Sequence, residues 1–142
     1  MTTWVVDASV AVKWVVPEEG ADAARELSGV PDRLVAPRLI MTEVANALAR
    51  KTMQGLLDRQ EAAFHFRTLA IMLADLISVD DLIEPALSNA CALRHPIYDL
   101  IYLETARKLD AHLVTADRRF AAKLAGTEHA RYVTLLSEWQ PS

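Results

Sequence analysis

Short β-branched runs separated by longer stretches of helical period set the rhythm of this chain. Residues 4–6 (Trp-Val-Val) predict a short buried strand, and a helical piece follows to about Val15, where Pro17 helps to end it. Residues 18–28 predict a second helical segment, stopped near Gly29 and Pro31. The next strand falls at residues 34–36, and Pro37 then introduces a long helix to about Met53, with Gly55 as its stop. Asp58 and Glu61 have the spacing of a capping box and open a helix whose apolar face is expected to include Phe64, Leu69, Met72 and Leu73. Residues 77–79 predict a third strand, and residues 82–94 a helix that tolerates Pro85 in its first turn. His95-Pro96 breaks the pattern before helical spacing resumes over residues 98–109. A strand at 113–115, a short helix at 118–125 and a last strand at 132–135 complete the order. Strands alternating with helices predict a parallel sheet covered on both faces, hence an α/β fold, a three-layer α/β/α sandwich with a mainly parallel central sheet.

In open sheets of this kind, ligands collect beyond the carboxyl ends of the strands. Asp7 ends the first strand, and Asp117 follows the strand at 113–115 across one residue. Asp99 opens the helix after His95-Pro96, and Glu43 lies in the first turns of the helix after Pro37, sharing a face with Asn46. Each acid has a local alternative: Asp7, Asp99 and Asp117 could cap helices, Ser9 could cap the first helix instead, and Glu43 could favour a positive helix end. Four acids at one end of one sheet repel one another unless they are protonated, separated or neutralised by cations. All-oxygen donors favour hard ions, Mg²⁺ or Mn²⁺, and such ions activate water and stabilise charge on a cleaved phosphodiester. One ion or two remains open at this level.

Composition narrows the class. The chain has 142 residues, 52% hydrophobic and 24% charged, which fits one folded domain spanning 1–142 rather than a disordered segment. A single cysteine, Cys91, cannot form an internal disulfide, so a reducing compartment, the cytoplasm, is expected. No apolar run approaches the length of a membrane helix, and the N-terminus lacks the pattern of a signal peptide. A net charge of −4 argues against a general electrostatic coat for nucleic acid but not against a local site.

The stretches VVDASVAVKW, EVANAL around Glu43, YDLIYLETA around Asp99 and LVTAD ending at Asp117 resemble, in order and separation, the PIN domain, particularly its VapC-type ribonuclease toxins. The resemblance implies a Mg²⁺-dependent endoribonuclease, with Mn²⁺ as a substitute, whose acidic centre is Asp7, Glu43, Asp99 and Asp117. Asp7 and Asp99 would contact the metal directly. Asp117, and with it Glu43, would complete the site through water or activation of the nucleophile. Ser9, Asn46 and Thr115 match supporting polar positions. The resemblance further implies an RNA substrate, a homodimer and a cognate VapB-like antitoxin.

Other chemistry has less to stand on. The four histidines lack a tight metal-ligand spacing, and Cys91, in an apolar helix, is expected to be a small core residue. Trp4, Trp14 and Trp139 could stack bases, but packing is the expected role. Among the basic residues near loops (Arg38, Arg94, Arg118, Arg119 and Lys123), Arg118 and Arg119 adjoin Asp117 and are the best candidates for phosphate contacts. A receiver-like phosphoryl-accepting domain is an alternative, but the lysine expected after a late strand is replaced here by Leu136-Ser137-Glu138. A non-catalytic PIN-like binding module is a further alternative, against which the four acids argue.

Overall fold

A computed structural model describes residues 2–141. Its five strands are β1 (Thr3–Val6), β2 (Arg33–Pro37), β3 (Asp75–Ile77), β4 (His112–Thr115) and β5 (Val133–Leu135). They form one sheet in the order β3-β2-β1-β4-β5, and every neighbouring pair is parallel. Seven α-helices connect and cover them: α1 (Ala8–Val15), α2 (Ala21–Gly29), α3 (Leu39–Met53), α4 (Arg59–Met72), α5 (Ile83–Leu93), α6 (Ile97–Leu109) and α7 (Arg118–Leu124). Helix α6 lies across β1, β2 and β4 with α5 packed on it, while α1 packs with α2, α3 and α4. The result is the three-layer α/β/α arrangement expected from the alternation of elements.

The central strands are apolar on both faces because both faces are covered: Val5, Val6, Val35, Ala36, Leu113 and Val114 are buried. Leu100 and Leu103 of α6 seal one side, each contributing about 1.5–3 kcal/mol relative to an exposed side chain. Trp14 is buried in α1 and donates its indole N–H to the Ala24 carbonyl at 2.8 Å, tying α1 to α2. The predicted capping box is present at Asp58 and Glu61.

The connectivity matters more for function than the layers do. From β1 the chain steps outward through β2 to β3, then returns to add β4 on the other side of β1. The direction of winding therefore reverses between β1 and β4, which opens a crevice beyond their carboxyl ends. Asp7 and Asp117 sit at those two ends.

Three local expectations change. The third strand is Asp75–Ile77 rather than residues 77–79, because β2 ends at Pro37, which pairs with Ile77, and the chain beyond has no partner. Phe64 is 60% exposed. The stripe that α4 buries runs through Ala62, Phe66 and Leu69, with Met72 and the capping Leu73 packed at its end, and Phe64 lies about 140° around the helix from Leu69. Cys91 is exposed rather than in the core: α5 is an outer helix that fully buries only Ala86 and turns Ala90 and Leu93 inward. Among the described residues no helix is long and apolar enough to cross a membrane.

Candidate active site

Asp7 leaves β1 in extended conformation and caps α1, its Oδ1 accepting the Val10 N–H at 3.2 Å. That is ordinary capping, but two hydroxyls add to it. Ser9 Oγ donates to Asp7 Oδ1 at 2.5 Å and accepts the Ala116 N–H at 3.0 Å, so it bridges α1 to the segment after β4. The Thr115 hydroxyl also bonds the Asp7 carboxylate and accepts the Asp117 N–H at 3.1 Å. Asp7 is 4% exposed. Burial is the main reason its pKa is pushed up to about 6; the bonds from Ser9, Thr115 and Val10 oppose the rise, and the nearby Asp99 charge adds to it.

Asp117 repeats the capping geometry at α7, accepting the Phe120 N–H at 3.1 Å. Glu43 is half-buried on α3 and accepts the Tyr102 hydroxyl at 2.6 Å. Burial raises the Glu43 pKa, the Tyr102 bond opposes that shift, and Asp99 reinforces it. Burial and the Glu43 charge together hold the Tyr102 phenol far above its ordinary range, so it remains a donor. Asp99 sits in the first turn of α6, with His95 Nε2 at 2.6 Å from its Oδ2.

These elements enclose a cleft of about 310 Å³. Asp7, Glu43, Asp99 and Asp117 all line it, together with Ser9 and Asn46. Thr115 lies beneath, fully buried. Arg118 and Arg119 are exposed at the start of α7, and Arg118 lines a neighbouring cavity of about 430 Å³ with Lys13, Leu136 and Ser137 instead of the acid cleft. That cavity is the larger of the two, but the converging carboxylates are in the smaller one.

Sequence reasoning missed three residues here. Tyr102 follows Asp99 by one turn of α6 and so faces the same way. Arg50 lines the cleft two turns along α3 from Glu43, and among the described residues it forms no ion pair. The bond from His95 to Asp99 was hidden by Pro96, which reads as a break although the imidazole reaches across it. Helical spacing alone could have found the first two.

Among the described residues, no three His, Cys, Asp or Glu side chains form a ready-made cage for a metal ion. The donor set nevertheless suits a hard cation. It is all oxygen, and one member is a desolvated carboxylate whose ionisation a cation would favour. Mg²⁺ commonly takes only one or two protein carboxylates and completes its shell with water and substrate phosphate.

The chain is similar to known proteins in sequence and in fold. The PIN domain model matches residues 4–124. Ribonuclease VapC3 of Pyrobaculum aerophilum is 33% identical over 123 residues, covering 84% of this chain and 92% of that protein. The crystal structure of PAE2754 from the same organism superposes with a TM-score of 0.73 at 22% identity, covering 96% of this chain and 90% of that one. VapBC2 from Rickettsia felis, solved bound to a DNA fragment from their promoter, gives a TM-score of 0.67 at 11% identity, with 98% and 100% covered.

Proposed function

Because the chain belongs to the PIN-domain family and is closely related to VapC-type toxins, we propose that it is a divalent-metal-dependent endoribonuclease, the toxin of a toxin-antitoxin pair. The observation that carries this reading is the meeting of Asp7, Glu43, Asp99 and Asp117 in one cleft at the reversal point of the sheet.

Asp7, Asp99 and Asp117 would hold Mg²⁺, or Mn²⁺ in its place. The bound ion would supply Lewis-acid stabilisation of the charge developing on the phosphoryl oxygens and would ease deprotonation of water. Glu43 is the general base: half-buried, with a raised pKa and fixed by Tyr102, it takes the proton as the water oxygen bonds to phosphorus and the phosphodiester P–O bond breaks, the leaving ribose oxygen departing as a hydroxyl that takes its proton from solvent water. Ser9 and Thr115 keep Asp7 oriented. Asn46 offers a neutral hydrogen-bonding edge beside Glu43. Arg50 brings a positive charge to the phosphate inside an otherwise acidic cleft, and Arg118 and Arg119 hold the strand where it leaves.

In this reading the protein is cytoplasmic. Its second partner is a VapB-like antitoxin that covers the acid cleft. A second copy of the chain covers the exposed Phe64 and Ile71 of α4, giving a homodimer.

The test is cleavage of single-stranded RNA by purified protein with and without Mg²⁺. Cleavage should require Mg²⁺ or Mn²⁺, and Asp7→Asn should slow it by at least about a hundredfold, the loss expected when several kcal/mol of charge stabilisation are removed. Equal rates for Asp7→Asn and the parent would overturn the assignment. So would phosphorylation of the protein by acetyl phosphate without any cleavage of RNA.

A further inference from the structure

His95 is outside the acid set yet is bonded directly to it. Its ring lies against Phe120, with centroids 5.0 Å apart and planes tilted by 30°, and its side chain is 14% exposed. Phe120 is itself buried in α7, the helix that Asp117 caps.

The turn that carries His95 is held on several sides. Arg94 ends α5 in the left-handed region at φ 53°, and its carbonyl accepts from Lys123 Nζ of α7 at 2.8 Å. The His95 N–H donates to the Ala90 carbonyl at 3.1 Å, and Pro96 restricts the backbone that follows. Imidazole position is therefore set by α5, α6 and α7 together, before Asp99 is considered.

Asp99 has the opposite character. Among the described residues His95 is its one hydrogen-bond partner, on Oδ2, and Oδ1 has no protein donor. A carboxylate in the first turn of a helix would otherwise rotate among several orientations. Carboxylates that bind metal are themselves commonly held by hydrogen bonds from the residues behind them.

We infer that His95 is a positioning residue for Asp99: its Nε2–H pins one carboxylate oxygen so that the other is presented to a divalent cation in the cleft. The inference rests on the metal-dependent nuclease reading, and it assigns His95 no contact with RNA or with the reacting atoms. A purely structural role for this i, i+4 pair would show in stability alone, whereas positioning shows in cation affinity.

Titration of the RNA-free protein with Mn²⁺, followed by electron paramagnetic resonance, separates the two. His95→Ala should weaken Mn²⁺ binding by about 10–100-fold, the usual cost of removing such a supporting bond. His95→Gln, whose amide can still donate, should recover most of the loss. In cleavage assays the Mg²⁺ concentration for half-maximal rate should rise by the same factor, with the rate restored at saturating Mg²⁺ and KM for RNA unchanged. Lys123→Ala, which frees the Arg94 carbonyl at an exposed position, should weaken Mn²⁺ binding by less than His95→Ala does and supplies the answer if His95→Ala does not fold. Parental Mn²⁺ affinity in both His95→Ala and Lys123→Ala, or in Lys123→Ala when it is the only folded variant, would overturn the inference and leave the nuclease reading intact. A parent chain that neither binds Mn²⁺ nor cleaves RNA would remove both.

Discussion

The junctions at Asp7 and Asp117 share one local plan and differ in what surrounds it. In each, a strand ends, an aspartate in extended conformation follows, and its carboxylate caps the next helix at 3.1–3.2 Å. Asp7 is nearly inaccessible, whereas Asp117 is half-buried. The hydroxyls make the difference. Thr115, from the second junction, turns to the first, and Ser9 reaches back to the Ala116 amide. The second junction therefore builds the environment of the first, while its own aspartate stays closer to solvent. Capping accounts for the presence of both acids, and burial distinguishes the one that a cation would benefit most.

That distinction can be broken most forcefully at Asp7 itself. A buried carboxylate with a pKa near 6, against an ordinary 3.8, binds its proton more tightly in the folded than in the unfolded chain. Stability should therefore decline as pH rises from about 4 to about 6, with the full penalty of about 3 kcal/mol present above that range. Asp7→Asn keeps the acceptor oxygen but removes the charge. In metal-free buffer at pH 8 it should be more stable than the parent by about 3 kcal/mol in urea denaturation, and the advantage should vanish near pH 4. Mg²⁺ should raise the parent's Tm more than the variant's.

A narrower perturbation is Thr115→Val, which keeps the buried shape and removes one bond to the ionised Asp7. The Asp7 pKa should rise further above about 6, read from its side-chain carbon resonance in a pH titration. An unchanged value would mean that Ser9 and Val10 suffice. The smallest effect belongs to the second junction. Asp117→Ala should cost about 1 kcal/mol through loss of the α7 cap, with none of the gain at high pH expected for Asp7→Asn.

The legibility of these features followed their dependence on neighbours. The strands at Val5-Val6, Leu34-Val35 and Leu113-Val114 could be read from local pattern because both faces of the sheet are covered and nearly every side chain there is apolar. The α4 capping box is equally local. Strand β3 was displaced because its extent depends on where β2 ends at Pro37, not on its own Ile and Val residues. Cys91 and Phe64 went astray for a related reason: apolar composition marks a helix as partly buried without fixing which face turns inward. At the site, the four acids were legible from their places at strand ends and helix starts. Tyr102 and Arg50 share helical spacing with Asp99 and Glu43 and could have been found in the same way, whereas His95 could not, because its bond to Asp99 depends on how the α5–α6 turn folds back on α6.

The bond between Ser9 and Ala116 joins residues 107 apart in sequence. Before β4 pairs with β1, Asp7 has only the partners that its own junction supplies, Val10 and Ser9. It gains its buried setting only when β4 has been made and has paired beside β1. Contacts of such long range form late and at high entropic cost. A chain in which β4 has not yet paired therefore holds Asp7 and its local Val10 and Ser9 partners but lacks the burial that sets the chemistry of its deepest acid.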